Sequence, residues 1–422
     1  MNRTSYTLLS YLLLPIIFIR LGWRSFKDPR YRQRWAERLA CYPAMAFDTG
    51  KPGIVFHTVS VGELHAAVPL IRACQENFPA WTFTITTTTV TGSARVKDIF
   101  GDTVQHCYLP YDLPGAINRF LQAIKPQVFI IMETELWPNL LHYCELENIK
   151  MFLLNARLSK KSFHKYQKYP RLSREMLESF NVVAAQFEQD ADYFRQLGLP
   201  EMSTHICGTV KFDQQIDQQQ TEAGHDFKRG LQRLVLVAGS TRAGEEEKVL
   251  QAFRQILEQL PEVLLILVPR HPDRFGAVTA LLNSEGFSFV RRSSAAEITR
   301  HTQILLGDSM GEMQFYYACA DLAFVGGSLV DTGCQNIIEP ALLGVPVITG
   351  PSLYNFQAVS EILQQSGAMA VVSNETELAE KVQDLFSDPV QRQSMSDAAN
   401  ATAAKHRGAT ERQLQLILKA IH

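Results

Sequence analysis

From Gly53 onward, short apolar runs alternate with helical stretches, and this alternation occurs twice. Ile54-Val59, Thr82-Thr88, Val128-Met132, Met151-Leu154 and Val182-Ala185 read as buried strands, with helical patterns such as Leu136-Asn148 between them. Strands alternating with helices imply βαβ units and a parallel sheet. The pattern stops at Asp213, where a glutamine-rich stretch to Gln220 carries a single aliphatic residue, Ile216. A second series follows: Leu234-Ala238, Leu264-Val268, Phe287-Val290, Ile304-Leu306, Leu322-Val325, Val345-Ile348 and Ala368-Val372, with helices at Glu245-Leu260 and Glu375-Phe386. The expected fold is α/β: two Rossmann-like, doubly wound domains facing a cleft, where ligands bind at the carboxyl ends of the strands. The expected boundaries are 1–50 for an anchor, 51–212 for the first domain, 213–230 for a linker and 231–422 for the second, whose last helix is able to cross back to the first.

The first residues differ from the rest. Leu8 to Ile19 is apolar apart from Ser10, Tyr11 and Pro15, and Arg20 ends the run. That is short of the roughly 20 residues that cross a bilayer, but counting out to Met1 and Trp23 allows a tilted span. Apart from Arg3, the basic residues (Arg20, Arg24, Lys27, Arg30, Arg32, Arg34 and Arg38) lie on the C-terminal side, which by the positive-inside rule places the body in the cytoplasm. Asp28-Pro29 reads as an N-cap with proline at N1. The helix it starts would put Arg30, Arg34 and Arg38 beside Tyr31, Trp35 and Leu39, a pattern suited to an anionic lipid surface; a buried helix with a solvated basic face is the alternative.

Apolar residues make up 46% and the net charge is −2, so a sizeable core is expected and nothing global points to nucleic acid. Seven cysteines are spread singly, which is neither a disulfide framework nor a zinc spacing, and they read as reduced thiols.

Several segments carry possible chemistry. The first strand runs into Ser60-Val61-Gly62-Glu63, whose S-x-x-E spacing is that of a capping box. The Glu63 carboxylate also sits at the mouth of the first strand–helix turn, where it could take a proton from an acceptor hydroxyl. Both readings draw on the same oxygens; as a base, Glu63 should turn toward the cleft and not fold back onto the amide of Ser60. Glu133-Thr134-Glu135 follows another strand, as helix-start acids or as site carboxylates. From Arg157 to Arg174 there are seven basic residues and no acid, either a solvated face or a cradle for an anionic acceptor. Gly239-Ser240-Thr241, Pro269-Arg270-His271-Pro272, and Gly326-Gly327-Ser328 with Asn336-Ile337-Ile338-Glu339 look like nucleotide-binding segments. A P-loop lysine motif and a GxGxxG fingerprint are absent, which argues against an ATPase and a dehydrogenase. Asp190-Ala191-Asp192 reads as acidic capping and not as a metal site.

Taken in order, Ser60-Val61-Gly62-Glu63, Met132 to Asn139, Asn155-Ala156-Arg157-Leu158-Ser159, Gly208 to Asp213, Val268 to Pro272, Gly307 to Glu312 and Phe324 to Val330 resemble the 3-deoxy-D-manno-octulosonic acid (Kdo) transferases of Gram-negative bacteria. The resemblance implies a GT-B fold. It also implies transfer of Kdo from CMP-Kdo, a substrate and not a cofactor, to a phosphorylated lipid A precursor at the cytoplasmic face of the inner membrane, in lipopolysaccharide biosynthesis. It makes Glu63 the general base and places Glu133 and Lys211 at the transition state. It sets CMP against Pro269 and Arg270, Met310, Gly311 and Glu312, and Asn336, Ile337, Ile338 and Glu339. No metal is implied, and inversion at the anomeric carbon is expected. One departure stands out: many members read Gly-Gly-His-Asn where this chain has Gly333-Cys334-Gln335-Asn336. The rival readings are a UDP-sugar transferase or UDP-sugar 2-epimerase on the same fold, and a non-catalytic anchored binding module.

Overall fold

The structure is a computed structural model that describes residues 2–43, 46–294 and 296–421. The chain divides into two compact units: one runs to Asp213 and is completed by the stretch from His406, and the other is Gln214–Lys405.

The first unit is built on seven parallel strands: β1 (Gly53–His57), β2 (Thr82–Thr87), β3 (Gln105–Tyr108), β4 (Val128–Met132), β5 (Lys150–Ala156), β6 (Val182–Ala185) and β7 (Thr204–Ile206). Their order is β3-β2-β1-β4-β5-β6-β7. The order reverses between β1 and β4, so the loops after these two strands flank the switch-point crevice where such sheets bind ligands. β1 and β4 are buried at every position, as expected where helices cover both faces of a parallel sheet. The unit's core lies on both faces, and Leu414 and Ile417 of the helix Ala409–Ile421 complete one of them.

The second unit repeats the plan with β8 (Val235–Thr241), β9 (Leu264–Pro269), β10 (Phe289–Arg291), β11 (Ile304–Leu306), β12 (Leu322–Val325), β13 (Val347–Thr349) and β14 (Met369–Val371). Their order is β10-β11-β9-β8-β12-β13-β14, with the reversal between β8 and β12.

Three expectations need correction. The glutamine-rich linker is short: Gln218–Leu231 is a helix of the second unit, capped by Asp217. Gly224 packs so closely on Phe315 and Ala318 that a Cβ there would lie 2.5 Å from the Phe315 carbonyl oxygen, and Phe227 and Leu231 reach the core. The helix expected from Asp28 is also absent. Instead, Arg3–Lys27 is one 25-residue helix, and short 3-10 turns follow at Pro29–Arg32 and Ala36–Leu39. Arg34 breaks the path with a left-handed φ of 60°. Its guanidinium pairs with Glu37 at 2.5 Å, while Arg38 is buried, stacks over Tyr108 at 4.3 Å and donates to the Thr88 carbonyl. These arginines fasten the segment to the first unit instead of forming a stripe. Finally, residues 1–50 are not a separate body: Arg3 and Thr7 bond the Asn139 side chain of the first unit. Met1, the outer limit of the expected span, lies outside the described residues. All seven cysteines are free thiols.

Candidate active site

In the first unit, β1 leads into the helix Val61–Asn77, whose N-cap is Ser60; its hydroxyl accepts the Glu63 amide at 3.3 Å. The Glu63 carboxylate is folded back. Oε2 accepts the amide of Val59 at 2.6 Å, and Oε1 accepts the Ser60 hydroxyl at 3.2 Å. This is a capping box displaced by one residue, using Val59 and not Ser60 as the amide donor. The carboxylate therefore takes the capping arrangement and not the outward one expected of a base, although only two of its roughly four lone-pair sites are engaged. Burial pushes the Glu63 pKa up to about 7; the Val59 bond opposes this, and the nearby carboxylates Glu133 and Glu135 add to it.

Glu133 follows β4 with a left-handed φ of 60°, while its amide still bonds the Leu154 carbonyl at 3.0 Å. A non-glycine residue held there carries strain of the kind that gathers at functional sites. Its carboxylate lies 3.3 Å from Lys211 Nζ and 3.9 Å from Arg157 Nε. Arg157 directly follows β5. Lys211 sits in the turn Val210–Phe212, which is pinned where the Val210 amide donates to the buried Asn155 side chain at 3.2 Å. Asn155 in turn receives Gln186 on its carbonyl and donates its amide to Gln413. Asp213 accepts the amides of Gly408 and Thr410, each at 2.6 Å. The motif around Asn155 is thus the frame that sets Arg157 and Lys211 on Glu133. Of the basic run, Lys160, Lys161, Lys165, Lys168, Arg171 and Arg174 are exposed, and only Arg157 turns inward.

In the second unit, Pro269 ends β9 and Arg270 follows. The Arg270 amide donates to the Thr241 carbonyl at 3.0 Å, and its Nε donates to Gln335 Oε1 at 3.2 Å. The Gln335 amide nitrogen donates to the Gly333 carbonyl. The residue standing where many relatives have histidine is therefore a neutral tether for Arg270. Asn336 accepts the Ile338 amide at 3.1 Å, next to Ile337, and donates to Gln214 at 3.0 Å. Burial raises the pKa of Glu339, while Asn336 and Arg270 lower it, so Arg270, Gln335, Asn336 and Glu339 form one group. Met310 is exposed and Gly311 has φ +82°; Glu312 pairs with Arg292 at 3.1 Å. These residues follow β11, the hydrogen-bonded neighbour of β9.

The Gly326-Gly327-Ser328 loop is not a phosphate cradle. The fully buried Glu245 carboxylate already accepts the amides of Gly327 (2.6 Å), Ser328 (3.0 Å), Leu329 (2.9 Å) and Arg242 (3.1 Å). An array of amides of this kind binds anions, and here the anion is part of the protein. Gly239-Ser240-Thr241 is likewise strand, with a register shift at Ser240. A cavity of about 710 Å³ lies beside this loop, but its charged lining residues are the acids Asp331 and Glu361, a poor host for an anion. The sequence identified neither Glu245 nor the role of Gln335, because their partners lie 82 and 65 residues away.

Two doubly wound parallel sheets, with carboxylates beyond β1 and β4 in one and an arginine–acid group beyond β9 in the other, give the GT-B architecture; the family matches make the chain a glycosyltransferase. The chain belongs to the Kdo transferase family. Residues 33–214 match the family described as 3-deoxy-D-manno-octulosonic-acid transferase (kdotransferase), and residues 218–402 match glycosyl transferases group 1. The 3-deoxy-D-manno-octulosonic acid transferase of Haemophilus influenzae is 41% identical over 99% of this chain and 98% of its own length. That of Bordetella pertussis is 35% identical over 99% of each. Among solved structures, Acinetobacter baumannii MurG (TM-score 0.56, 16% identity, 87% of this chain and 99% of that one) shares the fold. So does UDP-GlcNAc 2-epimerase from Neisseria meningitidis (TM-score 0.55, 13% identity, 87% and 100%).

Proposed function

We propose that this Kdo transferase uses CMP-Kdo as donor and a phosphorylated lipid A precursor, lipid IVA, as acceptor, at the cytoplasmic face of the inner membrane. The observation that carries the mechanism is the Glu63 carboxylate at the β1 switch point, with a pKa raised to about 7 by burial and by Glu133 and Glu135. A base is most effective when its pKa lies near the working pH. The Val59 amide and the Ser60 hydroxyl hold the carboxylate in place, and its free lone pairs take the proton of the acceptor hydroxyl as that oxygen attacks the anomeric carbon.

Glu133 is the fixed negative charge beside the developing oxocarbenium ion, and Lys211 and Arg157 hold it in position. In the second unit, Arg270 faces the leaving phosphate of CMP, with Pro269 and the segment Met310–Glu312 beside the nucleotide and Asn336–Glu339 at its ribose. A departing monophosphate needs a single fixed cation, which Arg270 supplies without a divalent ion. Attack assisted by one carboxylate on the face opposite the leaving group inverts the anomeric centre.

The test is mass analysis of the acceptor after incubation with CMP-Kdo and a tetra-acylated lipid A precursor. A gain of one or more Kdo masses is expected with the native protein and none with Glu63→Gln. No gain with the native protein refutes the donor–acceptor assignment, and full activity in Glu63→Gln refutes the base.

A further inference from the structure

The helix Arg3–Lys27 is apolar and long enough to cross a bilayer, but its two faces have different surroundings. One face is docked along its whole length on the first unit. Arg3 and Thr7 bond Asn139, Phe18 packs edge-on against Tyr111 at 5.8 Å, Leu21 and Ser25 are buried, and Gly22 lies against Trp35. With the half-buried Ser10, Leu14 and Ile17 between them, these residues recur every three or four positions and form one stripe. The opposite stripe is Leu8, Leu12, Ile16, Ile19, Trp23 and Phe26, which are between 60% and 79% exposed.

From Arg3 to Ser25 the docked stripe covers about 33 Å, as much as the roughly 30 Å hydrocarbon thickness of a bilayer. A spanning helix would have to leave Asn139, Tyr111 and Trp35, or draw them into lipid. We propose that this helix does not span. It lies in the plane of the membrane surface, docked on the protein by one face and sunk into the acyl boundary by the other. The chemistry of the surroundings selects an anionic lipid surface. Arg20 and Arg24 are exposed on the helix itself. Tyr6 of the helix lies within electrostatic reach of Tyr166 in the helix Lys160–Gln167, which carries the exposed Lys160, Lys161 and Lys165. An apolar stripe flanked by cations is the pattern of an interfacial helix. The inference does not depend on the identity of the acceptor.

The test uses full-length Thr4→Cys protein reconstituted into phosphatidylethanolamine–phosphatidylglycerol vesicles. Thr4 is exposed at one end of the helix, and the native Cys41 is exposed on the body. A membrane-impermeant maleimide is added outside the vesicles, and intact-protein mass counts labels per molecule. In-plane docking puts both thiols on one side, so each molecule carries two labels or none, whatever its orientation. A spanning helix puts them on opposite sides, so each molecule carries one, which overturns the proposal. Ser5→Cys, also exposed, repeats the measurement if Thr4→Cys fails to fold. Leu12→Glu with Ile16→Glu should reduce vesicle binding at least tenfold; unchanged binding also overturns the proposal.

Discussion

Replacing Glu63 with glutamine should make the first unit more stable at alkaline pH while abolishing transfer. A rise in carboxyl pKa from 4.5 to about 7 on folding corresponds, at about 1.4 kcal/mol per pH unit, to a cost of about 3 kcal/mol for keeping the charged form folded. Glu63 is half-buried, so screening makes this an upper figure. The sign follows from proton binding. Between pH 4.5 and 7 the folded state holds the Glu63 proton more tightly than the unfolded state, so stability falls as pH rises through that window and levels off above it. Glutamine is never charged, and its carbonyl can still accept the Val59 amide. The gap between variant and native protein should be near zero at pH 4, open across the window and reach about 1–3 kcal/mol at pH 8.5. All four tryptophans (Trp23, Trp35, Trp81 and Trp137) lie in the first unit, so urea unfolding followed by tryptophan fluorescence reads this transition. A pH-independent gap, or a variant less stable than native at pH 8.5, would refute the reasoning.

Other perturbations separate catalysis from framework. The acidic limb of kcat/KM should show an apparent pKa near that of Glu63, about 7, so the rate should rise about tenfold from pH 6 to pH 8; a flat profile down to pH 5 removes Glu63 as base. Lys211→Met leaves Glu133 with Arg157 alone, at 3.9 Å, and should lower kcat by about tenfold or more, measured by product formation at saturating donor. Glu245→Ala strands four backbone amides, each costing about 1–3 kcal/mol, so the second unit should melt far below native by calorimetry; a near-native melt contradicts the internal-anion reading. Gln335→Ala frees the Arg270 guanidinium and should raise the donor KM several-fold with less effect on kcat; an unchanged KM makes the contact incidental.

Where burial was continuous, the sequence reads clearly. β4, β6, β11 and β12 fall on the apolar runs as written, because a strand covered on both faces has no polar positions to blur it. β3 (Gln105–Tyr108) and β7 (Thr204–Ile206) escape notice because they are short edge strands with half-polar residues. The helix Gln218–Leu231 hides behind its glutamines, since only Gly224, Phe227 and Leu231 mark its inner side. Glu63, Glu133 and Lys211 were singled out as candidates through family motifs, not through pattern: S-x-x-E alone describes many helix starts. The partners that give these residues their character are long-range. Glu245 fills the glycine-rich loop and Asn155 holds the Lys211 turn, contacts that a local motif cannot display.

The crossing of the chain back to the first unit at His406 also fixes an order of completion during synthesis. The second unit, Gln214–Lys405, is contiguous and has all its chain before the first unit does. The first unit waits for Leu414 and Ile417 to close its core, and for Gly408 and Thr410 to reach Asp213. Since domains fold as the chain emerges, the part synthesised first is the part finished last. Throughout that interval the apolar stripe of Arg3–Lys27 is already outside the ribosome. That exposed apolar helix then belongs to a chain whose own first core is still open.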